Sequence, residues 1–147
     1  MHMLRSLIPF KLPDNDLLLI YKGYIRPLVE YAVPVWHPGL TNAQTSKLEG
    51  IQKRALKLIL THRYQSYSNA LTLTSLESLQ ARRVNICFKF GKSLLTSEDF
   101  QHWLPHRKPE QSRQLRNQTN LYPLRCKTER YRNSPIPFIV RTLNNFL

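Results

Sequence analysis

Thr41 and Gln44 stand three residues apart in the pattern of a capping box, and behind them Leu48, Ile51, Ala55, Leu58 and Ile59 recur at helical spacing. No other stretch constrains the chain as tightly, because the start signal fixes the first turn and the narrow apolar stripe fixes the covered side. Lys53, Arg54 and Lys57 project away from that stripe, with Lys47 at its border. Glu49, four residues before Lys53, is placed for a weak ion pair with it. The expectation is a helix that packs on one face and stays strongly basic on another.

Around it the punctuation predicts two further helices. Pro13 followed by Asp14, Asn15 and Asp16 is a start signal, and Leu17, Tyr21, Tyr24 and Leu28 then share one helical face. Pro27 lacks a backbone donor, so a kink or a restarted helix is expected there, with the turn at Trp36-His37-Pro38-Gly39. Residues 62 to 68 form a polar break, and 68 to 73 suit one or two helical turns. Thr74 with Glu77 repeats the capping-box pattern, predicting a third helix from about 75 to 95. Its apolar positions, among them Leu79, Val84, Cys87, Phe90 and Leu94, cover most of the helical wheel. Arg83 falls inside that apolar arc and needs a hydrogen-bonding carboxylate or carbonyl. The aromatic group Tyr21, Tyr24, Tyr31 and Trp36 reads as core between the first two helices, with Trp36 anchoring their junction, in preference to a base-stacking surface.

Beyond Trp103 the composition changes. Pro105, Pro109, Pro123, Pro135 and Pro137 interrupt a stretch rich in Arg, Gln and Asn, and regular structure is doubtful until a loose helical period at Phe138, Ile139, Leu143 and Phe146. The organisation expected is a helical domain over 1–100 and a basic extension over 101–147. That extension holds nine Lys or Arg against two Glu, more than half of a net charge of +13. Such a charge favours a polyanionic partner, nucleic acid or an anionic surface. No apolar run approaches the length of a membrane span, and Met1 to Phe10 is too brief for a signal peptide, so a soluble protein of the nucleus or cytoplasm is expected.

Catalytic and metal-binding patterns are scarce. Two-metal chemistry needs clustered carboxylates, but there are only three Asp, and Asp14 with Asp16 reads as helix capping. His102 and His106 are separated by Pro105 and have no third ligand, which favours incidental loop histidines. Cys87 and Cys126 are far apart, with no zinc or disulfide spacing, and four glycines form no phosphate-cradling loop. No cofactor, no metal and no enzymatic activity are expected.

An ordered series of residues resembles a known family: Tyr21, Tyr24-Ile25-Arg26-Pro27, Glu30-Tyr31-Ala32, Val35-Trp36, Leu48-Glu49 and Ile51-Gln52-Lys53-Arg54-Ala55. It is similar to the thumb region of non-LTR retrotransposon reverse transcriptases, the jockey-like, LINE-type RNA-directed DNA polymerases. Arg130-Tyr131-Arg132-Asn133-Ser134 with Ile136-Pro137 resembles the region that closes many of those polymerases. The resemblance implies an all-α, thumb-like bundle of about three helices with an irregular basic C-terminal extension. It also implies a catalytic palm ahead of this region; its Tyr/Phe-x-Asp-Asp turn is absent from the sequence. A thumb grips the template-primer duplex through its backbone, so the implied partner is RNA, DNA or an RNA/DNA hybrid, read through charge and not through base sequence.

Lys47, Lys53, Arg54 and Lys57 are therefore the first candidate contacts. Arg113, Arg116, Arg130 and Arg132 are the second, within a tail cluster that includes Arg107, Lys108, Arg125 and Lys127 and is interleaved with Tyr122 and Tyr131. Two other readings fit the same residues: a stand-alone basic helical RNA- or DNA-binding module, and an inert or protein-interaction product of a decayed element.

Overall fold

The computed structural model describes residues 2–107 and 121–146. The class is all-α: every regular element among these residues is helical, and their extended backbone pairs only in an isolated antiparallel bridge between Arg107 and Leu121. Two compact units divide the chain, Met1–Tyr31 with Thr41–Arg82, and Ala32–Leu40 with Arg83–Leu147.

In the first unit, Leu4, Leu17, Leu18, Tyr21 and Ile25 pack with Ala55, Leu56, Ile59, Leu60 and Ala70. Leu4 comes from a short His2–Leu7 helix that the sequence did not announce. The next helix starts at Asp14 as expected, although neither aspartate caps it. Asp14 instead pairs with Arg63 at 2.8 Å, and both carboxylates lie in the first turn, where the helix dipole favours negative charge.

The disturbance expected at Pro27 is a π-helical turn over Tyr21–Ile25, followed by an α-helical Arg26–Glu30 segment. Arg26 N–H bonds back five residues to the Tyr21 carbonyl. The wider turn inserts one residue into the helical register and rotates the next segment by roughly 100°, the angle of one helical residue. The expected apolar face is corrected accordingly. Tyr21 and Ile25 are buried, but Tyr24, Leu28 and Tyr31 are 68%, 79% and 81% exposed. The chain also turns earlier than expected, at Ala32, whose φ is 50°, and a Val33–Trp36 helix and a His37–Gly39 3-10 turn come next. Val33 is fully buried there, whereas Trp36 is half-buried.

The capping box of the Asn42–Leu60 helix is realised. The Thr41 hydroxyl accepts from Gln44 N–H at 3.2 Å and Gln44 Oε1 accepts from Thr41 N–H at 2.9 Å. The second box is not. Thr74 closes the Tyr67–Thr74 helix, and its hydroxyl donates to the Ala70 carbonyl at 2.7 Å. The following helix spans Leu79–Thr96, with Ser78 Oγ accepting from Ala81 N–H.

In the second unit, Leu94, Leu104, Leu121, Ile139, Val140 and Leu143 form the core. The C-terminal helix suggested by the loose period is present over Pro135–Phe146. Gly91 sets its approach: a Cβ there would lie 2.7 Å from Ile139 Cγ2 and 3.2 Å from Leu143 Cγ, both on buried side chains branched close to the backbone. Gly91→Ala is therefore expected to destabilise by about 1–3 kcal/mol through overpacking. Gly50→Ala meets nothing within 4 Å and should stabilise its helix by about 0.5–1 kcal/mol. Urea unfolding of the two variants checks both signs.

Arg83 is 1% exposed, and its Nε donates to His37 Nδ1 at 3.4 Å. Burial, and then the Arg83 charge, hold the His37 pKa below the ordinary histidine value. The unfolded chain therefore takes up a proton near pH 6.5 that the folded chain refuses. Stability should be fully present above that pH and fall as the pH drops below it. His37→Gln should flatten this acid limb, as thermal melts between pH 7.5 and 5 would reveal.

Candidate nucleic-acid interface

Ala55, Leu56, Ile59 and Leu60 commit one side of the Asn42–Leu60 helix to the core. At 3.6 residues per turn Lys47, Lys53, Arg54 and Lys57 then fall within about a third of the circumference on another side. All four are exposed. From Lys47 to Lys57 the face runs about 15 Å, the rise of ten helical residues. Gly50 lies along it with open space where a side chain would project, so a polyanion can approach the helix backbone closely.

Local contacts orient two of these cations. Lys53 Nζ sits 5.1 Å from the centroid of the Tyr67 ring, and Arg54 Nε donates to the Gly50 carbonyl at 3.2 Å. Neither contact neutralises charge. Ion pairs among the described residues include those of Arg26 and Arg82 with Glu30, Arg63 with Asp14, and Arg132 with Glu129. None reaches the basic face.

Glu49, the carboxylate expected beside Lys53, is engaged elsewhere. It accepts from the Leu79 and Gln80 backbone N–H groups at 3.0 and 3.1 Å, and from the Tyr67 hydroxyl. It thus caps the Leu79–Thr96 helix from another element, where the dipole favours an anion. The Glu49–Lys53 expectation is corrected, and the basic face is left without its nearest negative charge.

Gln52, 1% exposed in the core, extends this arrangement. Its Oε1 accepts from the Tyr21 hydroxyl at 2.7 Å, and its Nε2 donates to the Tyr67 hydroxyl oxygen at 3.0 Å and to the Glu77 carbonyl at 2.8 Å. Each polar end of the buried amide has a partner, as burial demands. Burial pushes the pKa of both tyrosines up, helped at Tyr67 by its bond to Glu49, so both remain donors at neutral pH. Sequence reasoning missed Gln52 and the capping role of Glu49. The one available signal was a glutamine inside the apolar arc of an amphipathic helix.

The tail residues divide. Arg113 and Arg116, with Lys108, lie outside the described residues. Arg130 and Arg132 are exposed on the short Glu129–Arg132 helix, where Arg132 pairs with Glu129 at 2.8 Å and its carbonyl accepts from Arg141 at 2.9 Å. Arg132 is thus partly neutralised, unlike the cations of the basic helix.

Among the described residues no three or more His, Cys, Asp or Glu side chains gather where they could hold a metal ion. Burial pushes the Cys87 thiol up to about 11, so it stays protonated at neutral pH. No helix of the described chain is long and apolar enough to cross a membrane. Comparisons with protein-family models, with curated proteins and with solved structures find no match.

Proposed function

We propose that this chain is the thumb and C-terminal region of a non-LTR retrotransposon reverse transcriptase, non-catalytic by itself, which holds duplex nucleic acid by its sugar-phosphate backbone. The observation that carries the binding reading is the basic face of the Asn42–Leu60 helix: four exposed cations, no ion pair to any of them among the described residues, and the nearest carboxylate turned to another helix. The motif series through Tyr21, Arg26-Pro27, Glu30-Tyr31 and Ile51 to Ala55 supports the assignment to a thumb.

A helix face of this kind reads charge spacing and not base edges. Lys47, Lys53, Arg54 and Lys57 are the contacts with the phosphates. The partner is RNA, DNA or an RNA/DNA hybrid. Binding driven by released counterions loses affinity with salt at roughly 0.9 log units per log unit for each phosphate neutralised on duplex DNA. The four helix cations alone should give a slope of about −3 to −4. Fluorescence anisotropy of a labelled duplex across a salt series measures it. A flat salt dependence would overturn the backbone-binding reading, and a hybrid bound no better than DNA duplex at high salt would remove the thumb assignment.

A further inference from the structure

The 3-10 turn Gln101–Trp103 holds large aromatic rings in solvent. Phe100 and Trp103 are 45% and 48% exposed, and their ring centroids lie 5.1 Å apart at an interplanar angle of 59°. The His102 ring meets Trp103 edge-on at 6.2 Å. The turn is firmly held. Trp103 N–H bonds to the Phe100 carbonyl, Leu104 N–H bonds to the Gln101 carbonyl, and Leu104 itself is buried in the core. Ring faces left in water on a fixed turn are suited to stacking, because an aromatic face accepts any base.

His102 also lines an adjoining cavity of about 620 Å³. Gln101, His106 and Arg107 supply its polar wall, over a floor that includes Leu104 and Leu121. The volume is within the range of small-ligand sites, and the wall offers an amide, an imidazole and a guanidinium. A guanidinium suits a phosphate, and an amide suits a base edge. Glu98 and Asp99, exposed just ahead of Phe100, disfavour phosphate beside them. The same carboxylates disfavour an anionic membrane, which needs cations beside its aromatic anchors.

We propose that Phe100 and Trp103 form a stacking platform for unpaired bases of single-stranded nucleic acid, with Arg107 and His106 receiving the adjoining phosphate in the cavity. The proposal rests on the nucleic-acid reading above but assigns a separate site with a different preference, for single strands over duplex.

The test uses the whole chain and three probes: an oligothymidylate of about twelve nucleotides, an abasic phosphodiester of the same length, and a blunt duplex. The unmodified protein should bind the abasic strand roughly tenfold more weakly than oligothymidylate, toward the low end of what stacking one base contributes. Trp103→Ala should lose a similar factor on oligothymidylate and nothing on duplex, while Trp103→Phe retains most of the affinity. Equal binding of the two single strands by the unmodified protein would overturn the platform even if Trp103→Ala failed to fold. Duplex binding that survives alongside that equality would leave the basic-helix reading standing. Loss of all binding, duplex included, would sink both. A blue shift of tryptophan emission with anionic vesicles, but not with oligothymidylate, would reassign the rings to a membrane surface and overturn the proposal.

Discussion

Glu49→Ala is expected to destabilise the first unit by about 3 kcal/mol, a large share of the 5–15 kcal/mol that holds a typical domain. Its carboxylate accepts from the Leu79 and Gln80 N–H groups and from the Tyr67 hydroxyl. Hydrogen bonds to a charged group contribute about 1.5–3 kcal/mol each, and helix-dipole complementarity adds a few tenths or more, though such terms do not sum fully. Alanine removes the acceptor and strands three donors, whereas Glu49→Gln keeps one acceptor oxygen but loses the charge and turns an NH2 donor toward a group the second oxygen had accepted from. Glu49→Gln should therefore fall between the parent and Glu49→Ala. Urea denaturation checks the order, and a Glu49→Ala midpoint equal to that of the parent would mean that water replaces the cap at no cost.

What was legible in the sequence was what is local. The Thr41–Gln44 box spans three residues, and once it fixes the start of the Asn42–Leu60 helix, helical period alone places Lys53, Arg54 and Lys57 in solvent. The same period found the C-terminal helix, because Ile139 and Leu143 sit four apart on one buried side. Locality also misled. Thr74 and Glu77 have the same spacing as Thr41 and Gln44, but the Thr74 hydroxyl is taken by the Ala70 carbonyl inside a helix that is ending. A capping pattern does not say whether its first residue is still helical.

The remainder depends on partners far along the chain. Glu49 reaches Leu79 across 30 positions and Gln52 reaches Tyr21 across 31, so no window of helical length contains both ends. Pairing Glu49 with Lys53 was the best local answer, and tertiary contacts replaced it. Pro27 announced a break, but not that a π turn would rotate Tyr24 and Leu28 away from the core. In the candidate interface, the charges were legible and the fate of their nearest counter-charge was not.

The second large effect concerns binding by the basic face of the Asn42–Leu60 helix. Replacing Lys53, Arg54 and Lys57 together with glutamate reverses the charge along most of the exposed face while leaving Ala55, Leu56, Ile59 and Leu60 in the core. The helix should persist, because Lys, Arg and Glu have similar helical propensities and the capping box is untouched. Three lost phosphate contacts should make the log–log salt slope on duplex DNA shallower by about 2.7, at roughly 0.9 per contact. The measurement is the anisotropy salt series on parent and triple variant, with circular dichroism confirming equal helicity. The expected result is weaker binding, by about tenfold or more at moderate salt, together with the shallower slope. A triple variant that binds with the parent's affinity and slope would contradict the account, leaving the basic face of this helix merely solvated.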